Sequence, residues 1–210
     1  MVSVTQVLDW IIEPELLAWY KRVGFKKAEE ISTAAKQVGS TVDYLIQADI
    51  KGTVLEASSV PYAVEVTNCL HAWQRFKEEH PAFLKSITDM QREVTDGEVV
   101  GHPDLEILEQ GRCGIVDIKT SKAIQPKHWL QVAKYLDLAH PQALSATPFG
   151  YLIGILRLDK LTGLYEYREI RDPSVILEEV KVFEAYLLAY QHGQRIREVM
   201  RQQLEEEVLG

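Results

Sequence analysis

Cysteine is scarce in this chain, and the little there is stands far apart. Cys69 and Cys113 are the only two. They form no CxxC spacing, which excludes a four-cysteine zinc site and leaves no ligand set for an iron–sulfur cluster. Such sparse usage fits a reducing, intracellular setting. Long apolar runs are missing too: "FGYLIGIL" is far short of the roughly 20 residues of a membrane-spanning helix. The opening "MVSVTQVLDWII" lacks the basic start and extended apolar core of a signal peptide. The expectation is a soluble, cytoplasmic protein with no membrane partner. Nor is positive charge in excess: 23 Lys and Arg against 31 Asp and Glu leave a formal net charge of −8. That argues against a nonspecific coat on DNA. It leaves room for an enzyme acting on DNA, because a local basic lining or bound cations can offset a negative total. Internal repeats and low-complexity linkers are absent, so the 210 residues read as one domain.

What is present changes period along the chain. Residues 1–85 read as helical. Ser3 or Thr5 is an N-cap, Pro14 stands near a helix start, and Gly24, Gly39 and Gly52 punctuate the run as breaks. A stripe through Val64, Leu70, Trp73 and Phe76 predicts a helix over 61–85, ended or restarted at Pro81. From about Ile87 the pattern alternates, with turns at Asp96-Gly97 and Gln110-Gly111. "PKHWLQVAKYLDLAH" is an amphipathic helix starting near Pro126. "FGYLIGILRL" and "LYEYREI" form a late hairpin turned at "DKLTG". A long terminal helix fills 171–210, with a break near Gly193. Helices, a hairpin-based sheet over 86–170, a crossing helix and a closing helix make an α/β (α+β) sandwich.

The hairpin "VVGHPDLEILEQGRCGIVDIKTSK" carries charge in its middle. Side chains alternate along a strand, so Asp117 and Lys119 share a face with Ile115, opposite Val116 and Ile118. If Gln110-Gly111 is a two-residue turn, Glu109 pairs with Arg112 and counting back sets Asp104 across from Asp117. Two carboxylates about 4.5–5.5 Å apart at Cβ repel each other on a half-buried face. A one-residue slip would separate them. In the paired register a proton, Lys119 or a divalent cation must neutralise them, and hard cations take carboxylate and carbonyl oxygens. The Ile118 carbonyl is a further candidate ligand. Gln131 and Tyr135, four apart, lie on one helix face. A surface hairpin with an ordinary Asp–Lys pair is the plain alternative.

Taken in order, "GHPD", "GIVDIKTSK" and "WLQVAKY" resemble the PD-(D/E)XK nuclease superfamily. The likeness is strongest to its RecB-type branch, which includes the lambda-type exonucleases, the CRISPR-adaptation nucleases and the mitochondrial genome-maintenance exonuclease. Gly101 and Asp104 fit its Gly-x-x-Asp element. Asp117, Lys119 and Thr120 fit (Asp/Glu)-x-Lys-Thr, Gln131 and Tyr135 fit Gln-x-x-x-Tyr, and Glu93 fits the preceding Glu. Asp43 stands where the branch has a histidine, with Glu56 as an alternative.

The resemblance implies a restriction-endonuclease-like core: a central mixed sheet flanked by helices, an N-terminal helical region and a long C-terminal helix. It implies a metal-dependent DNA exonuclease of recombination, repair or end resection. Asp104, Asp117, the Ile118 carbonyl, Glu93 and Asp43 would hold one or two Mg²⁺ or Mn²⁺ ions. Lys119, Gln131 and Tyr135 would act beside them. Thr120, Ser121, Lys122, Lys127, His128 and Lys134 are the candidate DNA contacts, and Lys21, Arg22, Lys26 and Lys27 form a second basic cluster. Trp129 reads as a core residue before a stacking one. DNA is the expected partner; a single-strand-annealing protein and a homo-oligomer are further partners that the lambda-type relatives suggest. The alternatives are a structure-specific or restriction-type endonuclease of the same fold, or a non-catalytic nucleic-acid-binding subunit.

Overall fold

The computed structural model describes residues 1–11, 14–53, 60–141 and 150–209, with side chains through 203. Strand β1 (Val2–Ser3) leads into α1 (Val4–Asp9) through a capping box. Ser3 Oγ accepts from the Gln6 N–H at 3.1 Å, and Gln6 Oε1 accepts from the Ser3 N–H at 2.8 Å. Helix α2 (Pro14–Val23) stops at Gly24, whose φ of 86° only glycine adopts freely. Helix α3 (Phe25–Ile50) then runs straight through Gly39, so that glycine is not the expected break. Its buried face of Val38, Val42, Leu45 and Ile46 outweighs the roughly 1 kcal/mol that one interior glycine costs a helix.

Helix α4 (Ala63–Glu79) buries Val66, Cys69, Trp73 and Phe76. The expected stripe was two residues out at its start, since Val64 is 71% exposed. A short α5 (Phe83–Ser86) precedes β2 (Ile87–Asp89), β3 (Val94–Thr95), β4 (Val99–Gly101), β5 (Leu105–Glu109) and β6 (Arg112–Lys119). Gln110 and Gly111 both take positive φ, 51° and 80°, which matches the right-handed twist of a two-residue hairpin. Then come α6 (Pro126–Ala139), β7 (Tyr151–Leu158), β8 (Tyr165–Ile170) and α7 (Pro173–Leu209).

The main sheet has the order β2-β5-β6-β7-β8, antiparallel except for the parallel β6–β7 pair that α6 connects. A small sheet, β1-β4-β3, sits beside it. Alternation along β6 and β7 divides the core. Ile115, Ile153 and Ile155 pack with α1, α6 and α7 on one face. Val116, Ile118, Leu152 and Leu156 pack with α3 and α4 on the other. The architecture is therefore the expected mixed sheet flanked by helices, with the helical N-terminal region and long C-terminal helix in place.

Helix α7 is continuous, and Gly193 has a different role from the predicted break. A Cβ there would stand 2.6 Å from Trp10 Cζ2. The indole lies over this bare stretch of helix, edge-on to Tyr190 at 5.6 Å and under the Arg197 guanidinium at 4.4 Å. No helix among the described residues is long and apolar enough to cross a membrane.

The centre of β6 is the tightest point of the sheet. A Cβ on Gly114 would lie 2.7 Å from Leu152 Cγ and 2.9 Å from Ile107 Cγ1. Gly114→Ala is expected to lower equilibrium stability by about 1–3 kcal/mol through overpacking, despite alanine's lower backbone entropy. Urea unfolding measures this, and an unchanged midpoint would show that the sheet has slack.

Candidate active site

The carboxyl end of β6 is where the parallel pair, its crossing helix α6 and helix α3 converge. In sheets of this kind the crevice beyond the strand ends is the natural place for a ligand. Asp117 and Lys119 project there on the Ile115 face. The β5–β6 ladder runs from Glu109–Arg112 to Leu105–Val116. The next step sets Asp104 opposite Asp117, as the counted register requires. Asp104 itself lies just outside the strand. Its Oδ2 accepts from the Ile118 N–H at 2.7 Å, and its Oδ1 accepts from Gln91 Nε2 at 2.7 Å. Gln91, at φ 54°, also donates its own N–H to the Pro103 carbonyl, so it clasps the segment carrying Asp104 at two points.

Asp117 is 2% exposed, and Lys119 Nζ lies 2.5 Å from its Oδ2. That contact is one of charge rather than a directed hydrogen bond, for Oδ2 is buried with no hydrogen-bond partner among the described residues. Burial would by itself lower the Lys119 ammonium's pKa. The charges of Asp117 and Asp104 outweigh it and hold the group above its usual value. Asp104 titrates well above the ordinary carboxylate range, first from burial and then from Asp117 and Asp43. Asp43, reaching in from α3, is pushed to about 7 by burial and by Asp117. Three carboxylates and one lysine thus share a poorly hydrated space, with more negative than positive charge.

Helix α6 supplies the other wall. Gln131 Nε2 donates to the Tyr135 hydroxyl oxygen at 3.0 Å, and both side chains are buried. Burial and then Asp117 push the Tyr135 phenol up to about 12, so it keeps its proton. The ring lies against Gly101, where a Cβ would come within 2.4 Å of Cε1. The Gly-x-x-Asp and Gln-x-x-x-Tyr elements therefore meet in space: the glycine makes room for the tyrosine.

A groove of about 810 Å³ opens from this point. One wall is a single face of α3, Ser32, Ala35, Lys36, Gly39, Ser40 and Asp43, at steps of three and four residues. The opposite wall carries Lys119, Thr120, Ser121, Lys127 and His128, with Lys160 from the β7–β8 turn. Gly39 brings α3 close to Thr120: a Cβ would be 3.5 Å from its Oγ1.

Of the residues singled out from sequence, the structure gathers Asp43, Asp104, Asp117, Ile118, Lys119, Gln131 and Tyr135, with Thr120, Ser121 and Lys127 along the groove. Several others sit differently. Glu93 is exposed and faces His102 at 3.7 Å, while Gln91, two residues earlier, reaches Asp104. Lys134 is buried among Asp96, Asp137 and Glu184 at 3.3, 3.1 and 2.6 Å, because its place on α6 points it away from the site toward α7. It is not a groove cation. His128 lines the groove without charge: burial, then Lys119 and Lys127, lower its pKa to about 3, and its Nδ1 accepts the Gln125 N–H. Lys122 is exposed outside the groove lining, and Trp129 packs half-buried against the core. Glu56 lies outside the described residues. Gln91, Lys36 and Lys160 were missed. The α3 face was legible as small residues at helical spacing running into Asp43.

Among the described residues, no three His, Cys, Asp or Glu side chains form a ready-made metal cluster. The donor chemistry nonetheless suits a hard divalent cation: three buried or partly buried carboxyl groups close enough to raise one another's pKa, with one lysine against them.

That surplus has a consequence for stability. Asp43 and Asp104 bind protons more tightly folded than unfolded, so their contribution is full below the ordinary carboxylate range and, for Asp43, is lost as pH rises through about 7. In EDTA, Asp43→Asn is expected to raise the melting temperature at pH 8 and to flatten its decline between about pH 4 and 7. A lower melting temperature at pH 8 would contradict the charge balance described.

No family model and no curated protein sequence matches the chain. Among solved structures it is similar to an alkaline exonuclease (LHK-Exo) from Laribacter hongkongensis. The TM-score is 0.44 at 16% identity, covering 97% of this chain and 94% of that one. A second, the crystal structure of SSO0001, matches at TM-score 0.24 and 14% identity over 69% and 86%. At these levels neither likeness bears on what the chain does.

Proposed function

We propose that the protein is a Mg²⁺- or Mn²⁺-dependent deoxyribonuclease that acts as an exonuclease. The observation that carries this reading is the buried Asp117 carboxylate, grouped with Asp104, Asp43 and a single lysine, Lys119, at the head of a lysine-lined groove. Asp104 and Asp117 would hold the cation, with the Ile118 carbonyl and Asp43 as further oxygen donors. Gln91 takes the place beside Asp104 that the sequence pattern assigned to Glu93. Bound there, a divalent cation supplies Lewis-acid polarisation of the scissile phosphate and a more acidic bound water.

The chain's own groups do the rest. In hydrolysis a water oxygen bonds to phosphorus and gives up a proton to solvent, the P–O bond to the leaving sugar oxygen breaks, and that oxygen takes up a proton from solvent. The charges of Asp117 and Asp104 favour the Lys119 ammonium over a general base. Its role is to orient the phosphate and stabilise the charge that grows on its oxygens. The Tyr135 hydroxyl accepts from Gln131, leaving its own O–H to donate toward the carboxylates or the phosphate. Deep placement of Asp117 keeps bulk water away and strengthens each of these interactions. A place in recombination, repair or end resection, beside a strand-annealing protein, accords with this activity.

The test is degradation of end-labelled linear DNA against covalently closed circles, in Mg²⁺, Mn²⁺ or EDTA. Linear DNA is expected to be shortened in either metal and preserved in EDTA. Survival of linear DNA in both metals would refute the enzyme, and equal cutting of circles would refute the exonuclease. Lys119→Ala is expected to slow cleavage by about 10²–10³-fold while DNA binding persists. Wild-type rates in that variant would remove the lysine from the chemistry.

A further inference from the structure

Of the three acids, Asp104 is the one that neither a strand nor a helix carries: β5 begins at Leu105, one residue after it. Its direction rests on two hydrogen bonds, from the Ile118 N–H to Oδ2 and from Gln91 Nε2 to Oδ1, each at 2.7 Å. An aspartate carboxylate otherwise turns easily about its last bond. One donor on each oxygen holds it in one plane and leaves a second lone-pair direction open on each. Gln91 is itself secured from both sides. Its backbone N–H donates to the Pro103 carbonyl at 2.9 Å. Next to it, Arg92 forks onto Glu106, Nε to Oε1 at 2.8 Å and Nη2 to Oε2 at 2.9 Å, and Glu106 is buried. On the other side Met90 packs against the core cluster of α3 and α4. Residues 90–92 thus form a strap across the start of β5. Gln91 holds a φ of 54°, a left-handed backbone that a non-glycine residue adopts at a cost. A glycine would relax that backbone and supply no amide.

The space behind this strap is closed. A cavity of about 10 Å³ lies between Asp43, Ile46 and Gln47 of α3 and the side chains of Gln91, Asp104 and Ile118. That is the lower limit for one water. A Mg²⁺ ion that keeps several waters does not fit there. An ion therefore meets Asp104 from outside the cavity, and the Gln91 amide acts on the carboxylate rather than on the ion. We propose that Gln91 is a positioning residue: its amide N–H turns Asp104 toward the cation and holds it there, with the Arg92–Glu106 pair as anchor. Hydrogen bonds of this kind orient a ligand before the ion arrives, and losing one lowers metal affinity by about 10–100-fold. The inference rests on the reading that these carboxylates hold a divalent cation.

Mn²⁺ binding tests this without DNA, followed by the electron paramagnetic resonance signal of the unbound ion. Two variants remove the amide. Gln91→Gly also relaxes the backbone, and Gln91→Met keeps the length of the side chain. Both are expected to raise the Mn²⁺ dissociation constant by about 10–100-fold, while melting curves in EDTA verify that they fold. On end-labelled linear DNA the Mn²⁺ concentration for half-maximal cleavage should rise by the same factor, with the rate at saturating Mn²⁺ little changed. A purely structural role predicts instead a lower melting temperature at unchanged Mn²⁺ affinity. Wild-type affinity in either variant would overturn the positioning role, and so would a wild type that binds no Mn²⁺. If DNA is still cleaved while affinity is unaltered, the positioning role alone fails. If Mn²⁺ binding weakens as expected but the wild type leaves linear DNA intact, the nuclease reading alone fails.

Discussion

The structure turns on an imbalance of charge held out of water. Asp117 is placed by strand pairing, Asp104 by the hydrogen bonds it accepts from Ile118 and Gln91, and Asp43 by a helix turn. None can relax outward without disturbing the element that carries it. Lys119 answers one of the three charges. Burial makes the remainder costly, and the carboxyls respond by holding protons to unusually high pH. A fold selected only for stability would replace these side chains with apolar ones. Their presence at the buried end of the central strand is the physical argument for a site.

The surrounding architecture serves that point. The parallel β6–β7 pair needs a crossover, and α6 provides it while delivering Gln131 and Tyr135 to the strand end. Tyr135 can settle there because Gly101 has no side chain. On the other side α3 must lie close enough to bring Asp43 inward yet leave a channel, and its small residues meet both demands. The two hydrophobic clusters on either face of the sheet hold α3 and α6 apart at a fixed spacing.

Much of this was legible from sequence. The hairpin register followed from one two-residue turn and strict alternation, because a shift of one residue would have turned Val116 and Ile118 out of the core. Pro126 marked the start of α6 because a missing N–H is harmless in the first turn. Glycine misled in both long helices. Gly39 and Gly193 read as breaks, but each marks a close approach of another group, Thr120 in one case and Trp10 in the other. A glycine's spacing cannot distinguish a chain that bends from a neighbour that leans in. Charge misled for a related reason. Lys134 and His128 lie in the right segment, but helix rotation buries the first among carboxylates and burial neutralises the second. Gln91 was invisible because its reach depends on a left-handed backbone that alternation does not anticipate.

The net charge of −8 is therefore a poor guide to what the surface attracts. Several cations are paired: Arg92 by Glu106, Arg171 by Glu109 and Glu169, Lys77 by Asp49, and Arg157 by Asp159 and Glu166. Ion pairs of this kind cancel their own field within a few ångströms. Lys36 and Lys160, both in the lining of the groove into which α6 begins, have no ion pair among the described residues. The same chain can therefore be acidic overall and still present positive charge along one channel. The local field follows from where the charges are paired, not from how many there are.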